Sequence, residues 1–202
     1  GRFVHIEALI KAIVAKKGSC RIIDIGGTEY YWEIAGDLIQ RAPVEIDLVS
    51  LVAVPVTKPR LRSLAGDATR LDDLADNSYD LVHSNSVIEH VGDWDAMVRM
   101  AANVRRLAPS YYLQTPNFWF PYEPHFRFPV FHWLPEQVRC RLLMQLNLGF
   151  GGRRDSVDAA MRGLQSARMI DRLQVETLFA DAEIQRERAF GMTKSFMAIR
   201  RG

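Results

Sequence analysis

Cysteine is scarce: Cys20 and Cys140 are the only two among 202 residues. A pair so far apart makes neither a disulfide framework nor a CxxC redox or zinc spacing. A reducing compartment, the cytoplasm, is the expected setting. Long apolar runs are missing too. None approaches the roughly 20 residues of a membrane span, and the opening GRFVHIEALIK lacks the ordered regions of a signal peptide. Nor does one sign of charge prevail. With 26 basic and 24 acidic residues the net charge is +2, without the basic stripe of dedicated nucleic-acid binders. Nucleic acid is therefore disfavoured as a partner, although Arg99, Arg105, Arg106, Arg139 and Arg141 would form such a stripe if they converged. The chain has no internal repeat and nothing in it speaks to oligomeric state. What remains is an ordinary globular composition, 48% hydrophobic and 25% charged. The length suffices to bury roughly 70% of the unfolded surface without a staple.

Apolar spacing in HIEALIKAIVAKK predicts a helix over 5–17, with Gly18 as its stop. Short buried strands are expected at Arg21–Ile25, Val44–Val49, Tyr79–His83 and Tyr111–Gln114. Helices are expected at 28–40 and 93–107. This alternation implies a mostly parallel α/β sheet covered on both faces. The pattern then breaks. Residues 109–135 hold six of the nine prolines, and 111–133 hold ten of the twenty aromatic residues. Prolines at this density prevent a regular helix or central strand, while the aromatics require burial. The expectation is an irregular cap over the sheet edge, spanning 116–170 with helices near 135–147 and 157–170. The chain then closes with a short helix and strands at Glu183–Arg188 and Ser195–Ile199. All of it, 1–202, reads as a single domain.

The sharpest local signal is IIDIGGTEYY at 22–31. A strand carrying Asp24 turns through Gly26 and Gly27 into a helix, and small residues let backbone approach a ligand closely. A carboxylate at Asp24 argues against a pyrophosphate there and for a ligand bearing an ammonium or N–H group. The segment is a poor dinucleotide fingerprint, since Thr28 and Tyr31 stand where GxGxxG needs glycines, and it is no P-loop.

Four blocks in order make the chain resemble the class I S-adenosylmethionine-dependent methyltransferases: IIDIGG, GDA at 66–68, YDLVHSNSVIEHV at 79–91 and YYLQTPN at 111–117. The tail AEIQRERAFGMTKSFMAIR is similar to the antiparallel strand pair that ends the family's sheet. The resemblance implies a Rossmann-like seven-stranded sheet, mostly parallel, with S-adenosyl-L-methionine as cofactor. By position, Gly26, Gly27 and Thr28 would line the methionine part and Asp24 would steer its amino end. Asp67 would accept from the adenine amine with Ala68 beside the ring, and Asn85 would lie near the methionine moiety. The family's second strand usually ends in an acid that clamps the ribose. Here Ser50 takes that position, with Asp47 as the alternative if the register lies three residues back.

Methyl transfer is an in-line displacement in which the protein aligns the reactants and excludes water. A hydroxyl acceptor also gains from losing its proton. His90, beside Glu89, is the expected base; His125, with Glu123, is the expected acceptor-orienting group, and His132 belongs to the same polar lid. No HxxxH or HxH spacing supports a metal, and none is expected. The reading is methyl transfer to a small-molecule or glycan-like acceptor, on oxygen. The alternatives are a non-catalytic cofactor binder on the same fold and an RNA or protein methyltransferase. Against the latter, SNSV stands where an [ND]PP[YF] amino-methylation motif would be.

Overall fold

The computed structural model describes residues 2–34, 36 and 43–202. Seven strands form one sheet in the order β3-β2-β1-β4-β5-β9-β8: β1 (Cys20–Ile25), β2 (Val44–Ser50), β3 (Leu61–Ala65), β4 (Leu81–Asn85), β5 (Ser110–Pro116), β8 (Glu183–Ala189) and β9 (Met192–Arg200). Only β9 runs against its neighbours. Strands β6 (Tyr122–Glu123) and β7 (Phe128–Pro129) make a separate small ribbon. The helices are α1 (Arg2–Lys17), α2 (Glu29–Ile34), α3 (Trp94–Leu107), α4 (Glu136–Gln145), α5 (Val157–Gln165) and α6 (Arg172–Leu178).

Alternation along the strands divides the core. Ile22, Ile46, Leu81 and Tyr112 face α1, where Ile6, Leu9 and Ile10 are buried. Ile23, Ile25, Val49, Val82 and Leu113 face α3 and α6, meeting Met97, Met100, Val104, Val175 and Leu178. Both faces of the parallel strands are apolar because both are covered. Helix α3 begins where the Asp93 carboxylate accepts from the Ala96 N–H at 2.8 Å. Its Met97, Met100, Ala101 and Val104 fall on one stripe. Helix α1 ends at Gly18, in the left-handed region at φ +82°.

The structure departs from expectation in places. Strand β3 has no counterpart in the sequence reading. It is an edge strand of five residues, mostly uncovered, so its apolar pattern is weak. Strand β4 begins two residues later than expected, and α5 stops at Gln165. Helix α2 is defined over Glu29–Ile34, and the rest of the expected 28–40 helix lies largely outside the described residues. Of the ten clustered aromatics, Trp119, Tyr122 and Trp133 are exposed, the first by 62%. The expected burial does not hold for these three, because Phe126 and Phe131 fill the packing there, joined by Cys140, Leu143, Ala160 and Leu164 in a cluster of their own.

Candidate active site

From β1 the chain goes outward to β2 and β3 on one side, then returns to β4 and β5 on the other. The switch point therefore lies between β1 and β4, and open sheets of this kind bind ligands beyond the strand ends at that point. Gly26, Gly27 and Thr28 leave β1 there. Gly26 has φ +75°, and a Cβ on it would lie 2.4 Å from Val87 Cγ2; one on Gly27 would lie 2.0 Å from Asp24 Oδ2. Neither position admits a side chain. The carboxylate of Asp24 is sealed beneath the turn, accepting from Trp32 Nε1 at 2.7 Å and pairing with His83 Nδ1 at 2.7 Å. Tyr31 and Tyr112 close the web: the Tyr31 hydroxyl lies 3.1 Å from His83 Nε2, and the Tyr112 ring stacks on the imidazole. Asp24 is thus 1% exposed and bears on the crevice through the backbone it supports.

The neighbouring strand ends supply the rest. Ser50 closes β2; its hydroxyl donates to the Val52 carbonyl, and its own carbonyl accepts from Gly66 N. Asp47 sits elsewhere, in mid-strand, its carboxylate taken by Arg62 at 2.7 and 3.1 Å, the Tyr79 hydroxyl at 2.8 Å and Arg21 at 3.3 Å. The alternative register that would bring Asp47 to the strand end is therefore not the one adopted. After β3, Asp67 Oδ1 accepts from the Thr69 N–H and hydroxyl, both at 2.8 Å, which holds its carboxyl below the usual range. Ala68 is fixed through its carbonyl by Asn103 Nδ2. Asn85 ends β4, and Ser86 follows in the left-handed region at φ +57°, bonded to Gln114 through N and Oγ.

Beside this crevice, beyond β4 and β5, lies a cavity of about 380 Å³ lined by Ser86, Glu89, His90, Gln114, Asn117, Phe120, Tyr122, His125 and Phe150. One ligating atom from each of Glu89, His90 and His125 lies within 4.8 Å of the other two. Each of the three is held from behind. Thr115 Oγ1 donates to Glu89 Oε2 at 3.0 Å, His90 Nδ1 faces the Ser166 carbonyl at 2.8 Å, and His125 Nδ1 faces Glu123 Oε1 at 2.6 Å. Glu123 is itself buried, its other oxygen accepting from Phe126 N. Burial lowers the pKa of His90 despite the Ser166 carbonyl; burial acts the same way on His125, but Glu123 outweighs it and the pKa is raised. With Nδ1 engaged on both rings, Nε2 is the nitrogen each has left to offer.

The site thus joins residues that sequence spacing keeps apart. The absence of HxxxH and HxH gave no sign of a metal-capable set, because this one is assembled from the turn after β4 and from the cap. His132 does not join it: its Nε2 donates to the Phe118 carbonyl, and it lines a second cavity of about 500 Å³ with Arg139 and Arg168. His83, Trp32, Thr115 and Ser166 were missed, since only tertiary proximity gives them roles. Two of the five arginines considered for a basic stripe are engaged within the fold. Arg105 and Arg106 donate to the carbonyls of Leu178, Leu74 and Leu71, tying α3 to its neighbours.

Residues 13–108 match the family model of a methyltransferase domain. Across 98% of its length the chain superposes on the CurJ carbon methyltransferase, covering 53% of that chain with a TM-score of 0.62 at 12% identity. It also superposes on an S-adenosylmethionine-dependent methyltransferase from Methanosarcina mazei, with 93% and 94% coverage, TM-score 0.55 and 12% identity. The matched stretch is that of a methyltransferase domain, and the sheet has the class I methyltransferase fold.

Such a domain uses S-adenosyl-L-methionine. The residues present fit it: two glycines that exclude side chains, with a hydroxyl, a carboxylate and an amide at the ends of β2, β3 and β4. Over 72 residues the chain is 35% identical to the uncharacterized protein Rv1509 of Mycobacterium tuberculosis. That stretch is 36% of this chain and 24% of the relative, so the matched part spans about a quarter of the relative's length. No helix among the described residues is long and apolar enough to cross a membrane.

Proposed function

We propose that this chain transfers the methyl group of S-adenosylmethionine to a hydroxyl of a small or glycan-like acceptor. Convergence of Glu89, His90 and His125 on one cavity beside the crevice carries the reading. A hydroxyl must shed its proton as the methyl arrives, and basic side chains are needed at that point. Phe120, Tyr122 and Phe150 give the same cavity apolar walls, as a dry reaction space requires. In this scheme the backbone at Gly26, Gly27 and Thr28, supported by Asp24, surrounds the methionine part, with Asn85 close to it. Ser50 accepts from a ribose hydroxyl, and Asp67 accepts from the adenine amine beside Ala68. His90 and His125 both turn Nε2 toward the acceptor, and Glu123 sets the orientation of His125.

An acceptor screen with tritiated cofactor, followed by mass analysis of the product, tests the reading. An O-methylated small molecule is expected, with turnover falling at least tenfold in His90→Ala and His125→Ala at unchanged cofactor affinity. Variants that turn over like the unaltered protein would remove both histidines from the chemistry.

A further inference from the structure

We propose that Glu89, His90 and His125 form a binding site for a divalent first-row transition ion such as zinc, with positions left open for the acceptor hydroxyl. The inference deepens the proposed function and rests on it for what the ion does there: with Nε2 of both histidines on the ion, the ion in place of a free imidazole activates the hydroxyl. The site itself rests on geometry. Two imidazoles and one carboxylate are one donor set of catalytic zinc sites, shared with non-haem iron(II) sites, and both keep at least one further position for water or substrate. Their ligating atoms already lie within 4.8 Å of one another. Zinc bonds of about 2.0–2.2 Å put ligand atoms roughly 3.3 Å apart in a tetrahedral site, so contraction by about 1.5 Å completes it.

The supports behind the ligands are the second observation. A metal-bound imidazole almost always donates its other N–H to a carboxylate or a backbone carbonyl, which fixes the tautomer and the ring plane. His125 has Glu123 in that place and His90 has the Ser166 carbonyl. The ligand carboxylate Glu89 is itself hydrogen-bonded by Thr115. Glu123 contributes no ligand atom to the set, yet it is 3% exposed and spends its oxygens on His125 and Phe126 N. A buried acid in that position raises the basicity of the imidazole it holds.

The chemistry balances without a change of oxidation state. The acceptor hydroxyl binds the ion and gives its proton to solvent. The C–O bond forms as the C–S bond breaks, and the sulfonium leaves as the neutral thioether of S-adenosylhomocysteine. The ion lowers the acceptor's pKa as a Lewis acid does for bound water.

The test is cobalt titration of the chelator-stripped protein. One equivalent per chain should bind with the visible absorption of a four- or five-coordinate Co²⁺ site, and zinc should displace it. His125→Ala and His90→Ala should each weaken binding at least tenfold, and Glu123→Gln should weaken it by about 10–100-fold. S-adenosylhomocysteine affinity, unchanged in all three, reports that the fold is intact. Absence of the cobalt spectrum, or an equal spectrum in the His90→Ala/His125→Ala double variant, overturns the proposal. The two readings fail separately: methyl transfer that survives chelation but not His125→Ala leaves the acceptor site standing and removes the ion. Metal binding with no methylated acceptor leaves the ion and removes the acceptor reading.

Discussion

At the residue scale, the cofactor turn depends on a side chain that the sequence does not flag. Asp24 is buried, and Trp32 Nε1 supplies one of the two groups that satisfy it, His83 the other. Trp32→Phe keeps the ring but leaves a buried carboxylate short of a donor, at a cost of about 1–3 kcal/mol. Chemical denaturation should show that loss, and calorimetry should show weaker S-adenosylhomocysteine binding, because Asp24 shapes the backbone at Gly27. Unchanged affinity would mean that the turn holds its form without this contact. Asp67 invites a finer comparison. Asp67→Ala loses the Thr69 turn and, in the proposed scheme, the carboxylate that accepts from the adenine amine, and should weaken binding by about 1–3 kcal/mol. Asp67→Asn can keep the amide oxygen on Thr69 and should lose less. The turns at Gly26 and Asp67 were legible because the residues that shape them, Asp24 and Thr69, are close in sequence. His83 was not, since its partners come from β1, α2 and β5.

At the scale of elements, short continuous apolar runs identified the central strands, because burial on both faces leaves an unbroken pattern. The edge strand β3 lacks that pattern and was missed. The far edge is fastened differently. Asp181, just before β8, accepts from the Tyr111 hydroxyl on β5 at 2.7 Å and from Arg200 on β9 at 2.6 Å. Burial pushes its carboxyl up, but the bonds from Tyr111 and Arg200 outweigh this and hold it below the usual range. A carboxylate depressed in the folded state stabilises the fold above its unfolded pKa of about 3.9. That contribution is lost as the pH falls through the folded value. Asp181→Asn should therefore lower stability near neutral pH and flatten the loss of stability below about pH 4. Because the group is partly exposed, screening keeps the effect small. Parallel melting curves of the two proteins from pH 7 to pH 3 check it; curves that stay offset throughout would place the acid sensitivity elsewhere.

At the scale of the whole molecule, the crevice belongs to one packing unit, while the proposed acceptor cavity is shared between that unit and the cap. The crevice stands on strands whose apolar residues pack with α1 on one face and with α3 and α6 on the other. The cap has its own cluster around Phe131 and Leu143. The cap returns to the sheet through bonds such as Asn117 N to the Lys194 carbonyl on β9 and Arg168 N to the Glu89 carbonyl. The sequence showed that the segment breaks the α/β pattern, since prolines mark an irregular path. It could not show which aromatics turn inward, because that depends on α4 and α5 folding over them. Phe131→Ala opens a cavity in the cap cluster and should cost about 3–5 kcal/mol there. If the units are separable, hydrogen exchange should quicken over 122–165 while β1 and β2 keep their protection. Cofactor affinity should change by less than about twofold, at most roughly 0.4 kcal/mol. His125, carried by the cap, should lose its place, so the acceptor KM should rise and the cobalt site weaken. Equal loss of protection in the cap and in β1 would show instead that cap and sheet open as one cooperative unit.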